Sequence, residues 1–351
     1  MKSLFDNINL KNLNLKNRFV RSATWEKLAD DNGFMTDKLL NIYDRVSKGG
    51  VGLIITSYAY ISETEKPNKG MLGIYSDTFI SHYKKLTDLV HKNGSKIILQ
   101  IVYGGSQTKY NTSDRLIWGM SSVPHKKTGV IPKEMNQSEI NLLKKYFADA
   151  SVRAKKAGFD GVQIHGAHGY LLSQSLSTYY NQRKDLYGGS LENRSRLITE
   201  VYSEVRKNVG DDYHVSIKIN CSDFEEYGTD FEQSVYLLQK LDKLGIDSVE
   251  VSGGKKLSQL KEHMESVYAW YAGEIAKKIK APVILVGLNR SYATMDKILN
   301  TTDIDLFSMA RPFLAEPELI NRWGNGDLSN SKCISCGKCY GENENGCIMV
   351  K

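Results

Sequence analysis

Two groups of side chains in this 351-residue chain have the types and spacing to do chemistry. The first is His165-Gly-Ala-His168-Gly-Tyr170, which places two imidazoles and a phenol within six residues. Such a set can donate hydrogen bonds to a substrate oxygen and supply a proton. The same histidines could ligate a metal, although no carboxylate nearby completes a facial set. A third reading keeps them as satisfied structural histidines. The second group is Cys333, Cys336, Cys339 and Cys347, four of the chain's five cysteines. A cluster this local is not a disulfide framework spread through a fold. Four thiolates at this spacing suit a [4Fe–4S] cluster or zinc. A remnant without metal is the alternative. The fifth cysteine, Cys221, stands at the end of the fifth apolar run and reads as a small core residue.

Side chains this close in sequence need elements to aim them. Eight short runs rich in Val and Ile fall at 19–22, 51–57, 96–102, 161–165, 215–220, 248–252, 283–287 and 305–310. Their apolar character on both faces suits buried parallel strands. Helical patterns lie between them at 37–47, 77–92, 138–157, 191–208, 231–244, 268–280, 291–299 and 312–322. Thr36 and Asp230 stand at N-cap positions, the stretch Gln137-Ser138-Glu139 resembles a capping box, and Gly158, Gly210 and Gly245 follow helix ends. Eight strand–helix units predict an α/β fold, a single (β/α)8 TIM barrel. A doubly wound sheet would need a Gly-x-Gly-x-x-Gly turn after the first strand, where Ser22-Ala23-Thr24-Trp25 stands instead. The segment 4–15 reads as a hairpin plugging the N-terminal face, and the long connection 103–137 as a lid or substrate wall over the C-terminal mouth. The organisation expected is one barrel over residues 1–325 and a Cys-rich tail over 326–351.

Barrel enzymes draw their active groups from the C-terminal ends of the strands. Those ends supply Gln100, His165, Lys218, Asn220, Ser252-Gly253-Gly254, Gly287 and Ala310-Arg311. The last two follow strands seven and eight, where loops often bind phosphate, and Arg311 could add a bidentate grip. A tight turn with a surface arginine is the plainer alternative.

Composition narrows the class. Charged residues are 25% and apolar residues 41%, which excludes a disordered tail protein or a coiled coil. No run of about 18 apolar residues predicts a membrane span. Residues 1–17 alternate Leu with Asn and Lys, unlike a signal peptide. A cytoplasmic protein is expected. The net charge of +7 is spread along the chain without a basic stripe, so no nucleic-acid partner is expected.

Beyond these readings, the stretch His165-Gly-Ala-His168-Gly-Tyr170-Leu-Leu-Ser-Gln resembles the signature of the Old Yellow Enzyme family. The resemblance continues through Asn181-Gln-Arg183-Lys-Asp185-Leu-Tyr187-Gly188-Gly189-Ser190-Leu191-Glu192-Asn193-Arg194. It extends to Leu15-Lys-Asn17-Arg18, Gly49-Gly50-Val-Gly52-Leu-Ile-Ile, Arg311-Pro312-Phe-Leu and Glu316-Pro317. The family comprises FMN-dependent ene-reductases and NADH:flavin oxidoreductases, with 2,4-dienoyl-CoA reductase and trimethylamine dehydrogenase as larger relatives. The resemblance implies noncovalent FMN at the barrel mouth. Ala23, Thr24 and Tyr58 would contact the ring system, Gln100 its pyrimidine edge and Lys218 its N1/O2 side. Gly287, Ala310 and Arg311 would hold the phosphate. His165 and His168 would bind the oxygen of an enone, enoate or nitroalkene, with Trp25 and Arg183 also on the substrate side. Tyr170 would protonate the α-carbon after hydride addition, with NAD(P)H as co-substrate.

Lys218 stands where the family usually has Arg, and Trp25 where relatives carry Thr or Cys, so the flavin environment differs. Gly104-Gly105 would leave a roomier pocket. The larger relatives carry a [4Fe–4S] cluster at the cysteine position, fed by a C-terminal dinucleotide-binding portion. No such portion is expected here, so a cluster would need an external donor or serve structure alone. Oxidative demethylation of a small amine and a flavin electron-transfer subunit are the competing functions. The family offers monomers, dimers and tetramers.

Overall fold

Each of the eight apolar runs becomes a strand of one closed parallel barrel. In the computed structural model, which describes residues 1–254, 264–341 and 344–350, these are β1 (Phe19–Arg21), β2 (Leu53–Ile55), β3 (Lys96–Val102) and β4 (Gly161–Gly166), followed by β5 (His214–Asn220), β6 (Ser248–Ser252), β7 (Val283–Val286) and β8 (Leu306–Met309). Every strand pairs in parallel with the next, and β8 returns to β1. Two short strands, Ala59–Tyr60 and Leu72–Gly73, extend the sheet beside β3.

The helices pack outside this ring: α1 (Asp37–Lys48), α2 (Phe79–Lys92), α3 (Gln137–Lys156), α4 (Leu191–Val209), α5 (Phe231–Lys243), α6 (Ala269–Ala276) and α7 (Tyr292–Thr301). Their starts follow local chemistry. Thr36 accepts a hydrogen bond from the Leu39 amide, and Asp230 accepts one from that of Gln233. The capping box of α3 is built on Asn136 with Glu139, one residue before the stretch that resembles one in the sequence. The expected helix at 312–322 is split into Arg311–Ala315 and Leu319–Gly324. Glu316 precedes Pro317, whose ring disfavours a helical backbone at that residue, and it adopts φ −151° and ψ 83°. Among the described residues, no helix is long and apolar enough to cross a membrane. The expected tail 326–351 packs on the barrel where it is described; residues 342, 343 and 351 lie outside the described residues.

The barrel interior has an apolar lower layer. Val20, Leu53, Ile55, Ile98, Ile284 and Leu306 point inward and cluster with Leu10, Leu13 and Leu15. The last three belong to an antiparallel hairpin, Ile8–Leu10 with Leu13–Leu15, which closes the N-terminal end as a plug. A second, larger core lies between the strands and the helices.

Leu13 is 3% exposed and sits at the centre of this plug. Leu13→Ala should destabilise the fold by about 2–5 kcal/mol, the range for a buried leucine that leaves a cavity. Urea unfolding followed by circular dichroism measures this, and a loss under ~1 kcal/mol would mean the hairpin is not part of the cooperative core.

Candidate active site

Side chains two residues apart on a strand share a face. One step above the apolar layer, that inward face becomes polar. Val20 is followed by Ser22, Ile98 by Gln100 and Leu306 by Ser308, all buried. Strand register then brings their partners together. Gln100 lies opposite Gln163, and its Nε2 donates to Gln163 Oε1 at 2.6 Å. Gln163 Nε2 donates in turn to Glu250 Oε2 at 3.1 Å. Glu250 also accepts from Ser22 Oγ at 2.8 Å and Ser308 Oγ at 2.7 Å. Lys218 lies opposite Glu250 across β5 and β6, with its Nζ 3.2 Å from Glu250 Oε2 and 2.9 Å from Ser22 Oγ. This network floors a cavity of about 650 Å³ at the C-terminal mouth.

His165, His168 and Tyr170 line one wall of that cavity with Trp25, Tyr58 and Asn68. The β4 strand carries His165, whose register partner is Lys218. The chain then turns sharply, with His168 at φ 61° and Gly169 at φ 79°, which returns Tyr170 beside His165. The His165 ring is 5.3 Å from that of His168 and 5.1 Å from that of Tyr170. His168 Nε2 pairs with Ser252 Oγ at 2.8 Å, whereas His165 Nδ1 is buried without a hydrogen-bond partner. Asn68 Nδ2 donates to both the Tyr58 and Tyr170 hydroxyls, each at 3.3 Å. Burial, His168 and the Lys218 ammonium hold His165 well below the ordinary imidazole range. His168 is pushed down to about 3 by burial and by Lys218. Burial raises the Tyr170 phenol, against the pull of its bonds to Tyr58 and Asn68.

The opposite wall is built by the ends of β6, β7 and β8. Gly253, Gly287, Leu288, Asn289, Ala310 and Arg311 line it. Glycine is required at 287, where φ is 136° and a Cβ would stand 2.5 Å from the Tyr268 ring. Asn289 fixes the turn by donating to the Leu285 and Ser308 carbonyls at 2.8 and 3.0 Å. Ala23, Thr24 and the pocket face of Trp25 complete the rim. Trp25 is half-buried, and its Nε1 lacks a partner. The long 103–137 connection does reach the mouth, through Gln107, His125, Lys126 and Lys127.

Two expectations are corrected by this geometry. Arg183 does not line the cavity. Its guanidinium is spent on the carbonyls of Met120 and Met135, at 3.1 and 2.7 Å, and on Asp185, so it staples the long loop to the segment after β4. Gly104 and Gly105 do not enlarge the pocket. A Cβ on Gly104 would meet Glu65 Oε1 at 2.6 Å, and the Gly104 amide donates to that atom at 3.1 Å. Cys333, Cys336, Cys339 and Cys347 are free thiols. Among the described residues, no group of three or more His, Cys, Asp or Glu side chains is placed to hold a metal ion. The thiols share a neighbourhood, since burial and then Cys333 raise Cys339.

The tail instead walls the cavity. Ser335, Cys339, Tyr340 and Asn345 line it, and Asn345 Nδ2 donates to the Trp25 carbonyl at 2.7 Å while its amide donates to that of Glu26 at 2.9 Å. Cys221 is fully buried, as expected for a core residue, and its thiol is pushed up to about 12 by burial. Glu250, Gln163, Asn68 and Asn289 are the residues that sequence reading missed. Only Glu250 carries a signal of its own, a carboxylate in the middle of an otherwise buried five-residue strand.

A closed parallel barrel with a polar floor under a deep C-terminal mouth is an enzyme architecture that hosts many chemistries, and comparison with known proteins makes the assignment specific. Residues 3–329 match the NADH:flavin oxidoreductase / NADH oxidase family, and the chain belongs to it. It is 33% identical over 342 residues to an NADH oxidase of Thermoanaerobacter brockii, covering 95% of this chain and 52% of that protein. It is 30% identical over 373 residues to a cinnamate reductase of Clostridium sporogenes, covering 98% of this chain and 56% of that protein. The chain thus spans about half the length of the curated relatives it matches. Among solved structures, an Old Yellow Enzyme homologue from Zymomonas mobilis superimposes with a TM-score of 0.80 at 26% identity, covering 95% of this chain and 96% of that one.

Because both mouth histidines are shifted down, acid must go well below the ordinary imidazole value of about 6.5 before either ring takes up a proton. The unfolded chain would bind those protons near about 6.5, so the stability tied to the neutral pair is present above that pH and is lost below it. NMR of histidine-labelled protein should show no titration of His165 or His168 between about pH 5 and 8. A signal that titrates near 6.5 and vanishes in His168→Asn would contradict the buried, neutral pair.

Proposed function

We propose that this barrel holds FMN at its C-terminal mouth and reduces the electron-poor C=C bond of an enone, enoate or nitroalkene, with NAD(P)H as the source of electrons. The observation that carries the reading is one cavity with Lys218 on its floor and His165, His168 and Tyr170 on its wall. The donor set fits the cofactor. Gln100 and Lys218 offer a hydrogen-bonding group and a cation beneath it, and Ala23, Thr24 and Tyr58 offer rim contacts. Gly287 and Ala310 offer backbone, and the Arg311 guanidinium, which makes no ion pair with the described residues, offers a grip for phosphate. The NADH and flavin of the family description support the cofactors, and the cinnamate reductase among the relatives supports an α,β-unsaturated acid as one acceptor class.

Bound FMN supplies the hydride. The protein's own part is to orient and to protonate. A neutral imidazole can donate a hydrogen bond to a carbonyl or nitro oxygen without a net charge to desolvate. His168 is oriented by Ser252, and His165 keeps Nδ1 without a protein partner. Polarising that oxygen draws electron density from the alkene and favours addition at the β-carbon. Tyr170 stands beside His165 and delivers a proton to the α-carbon; a phenol is a weak acid, but a developing enolate is a strong enough base to take its proton. The buried wall excludes water from the carbanion.

Anaerobic addition of NADH should bleach the flavin absorbance, and cyclohexenone, an enoate or a nitroalkene should restore it. Tyr170→Phe should keep the bleaching and lose alkene reduction by roughly 10²–10⁴-fold, the usual worth of a positioned proton donor. Reduction by NADH with no reoxidation by any of these acceptors would overturn the reading. So would bleaching by a small amine without nicotinamide, which marks an amine dehydrogenase, or a Tyr170→Phe protein of unchanged turnover, which marks an electron carrier.

A further inference from the structure

We infer that Asn68 is a positioning residue for proton delivery, acting with Tyr58 to hold the negative charge left on Tyr170 when its proton goes to substrate. The inference rests on Tyr170 being the proton donor, as proposed above. A carboxamide nitrogen carries two hydrogens. Here that nitrogen faces two phenol oxygens, Tyr58 and Tyr170, at 3.3 Å each. The two phenol rings lie 5.7 Å apart, and both are buried. Donors already aimed at an oxygen stabilise charge on it without reorganisation, the logic of an oxyanion hole applied to the acid rather than to the substrate.

Asn68 is held in place from both sides. Its neighbour Pro67 accepts a hydrogen bond from Thr108 Oγ1 at 2.7 Å. Lys66 donates to the Asp31 carbonyl at 2.8 Å, and buried Glu65 binds the Gly104 amide. The segment is therefore pinned between the loops after β1, β2 and β3. Of the groups that face the Tyr170 phenol, Tyr58 and Asn68 favour its ionised form, whereas Glu65 and Tyr340 oppose it.

The step balances. The Tyr170 O–H bond breaks and a C–H bond forms at the α-carbon of the substrate carbanion. The electron pair stays on the phenolate oxygen, beside the Asn68 N–H groups and the Tyr58 hydroxyl. A proton from water later restores the phenol.

A nitroalkene separates the two halves of the reaction, because hydride addition yields a nitronate, a stable anion with its own ultraviolet absorbance. The experiment mixes FMN-loaded, NADH-reduced protein with a nitroalkene in an anaerobic stopped-flow instrument. Asn68→Leu should leave flavin reduction and nitronate formation within about twofold and slow nitronate protonation roughly 10- to 100-fold, the worth of one hydrogen bond to a charged oxygen. Asn68→Asp keeps the shape but can only accept, and should slow protonation at least as much. Protonation at the wild-type rate in Asn68→Asp would overturn the inference, and this variant decides if Asn68→Leu fails to fold. Equal slowing of nitronate formation and protonation in Asn68→Asp would reduce Asn68 to a structural prop and would also overturn it. Tyr170→Phe is the control: if it protonates nitronate normally, the proton-donor reading itself has failed, and that result is distinct from a fast Asn68→Asp with a slow Tyr170→Phe.

Discussion

The mouth of this barrel depends on one buried carboxylate. Glu250 is fully enclosed and takes hydrogen bonds or an ion pair from Ser22, Gln163, Lys218 and Ser308, and so ties β1, β4, β5 and β8 to β6. An ionised carboxylate in such a place is tolerated only when every oxygen is met. A well-packed apolar floor would be at least as stable. What the pair provides is a cation at the floor of the cavity, held by Glu250 and Ser22. Were Glu250 absent, Lys218 would be a buried charge with only Ser22 to answer it.

The position of this layer follows from strand parity. Ile98 and Gln100 are two positions apart, as are Leu306 and Ser308, and within that step the interior changes from hydrocarbon to hydrogen bonds. The leucine plug below it closes the axis. The polar layer and the cavity above it therefore lie toward the C-terminal mouth.

The architecture was legible in the sequence because it rests on local signals. Val- and Ile-rich runs and N-cap residues such as Thr36 mark elements without any knowledge of neighbours. His165, His168 and Tyr170 were legible for the same reason, being close in the chain and close in space. Register was not legible. Nothing in the sequence says that Lys218 faces Glu250 or that Gln100 faces Gln163, because pairing between strands is set by the closed ring. Asn68 lies in a loop without periodicity, so no pattern points to it. Arg183 misled because its nearness to the His165 motif in sequence says nothing of the Met120 and Met135 carbonyls that claim it. The cysteines share a neighbourhood, as their spacing implies, but spacing does not foretell that their segment lines the cavity.

The bonds from Asn345 to Trp25 and Glu26 join residues about 320 positions apart. They carry a consequence for the order of assembly during synthesis. The strands that floor the cavity, and the wall bearing Tyr170, are made before residue 345 leaves the ribosome. Until it does, the Trp25 side of the mouth stands without its outer buttress. Once residue 345 emerges, its two hydrogen bonds brace that side of the mouth.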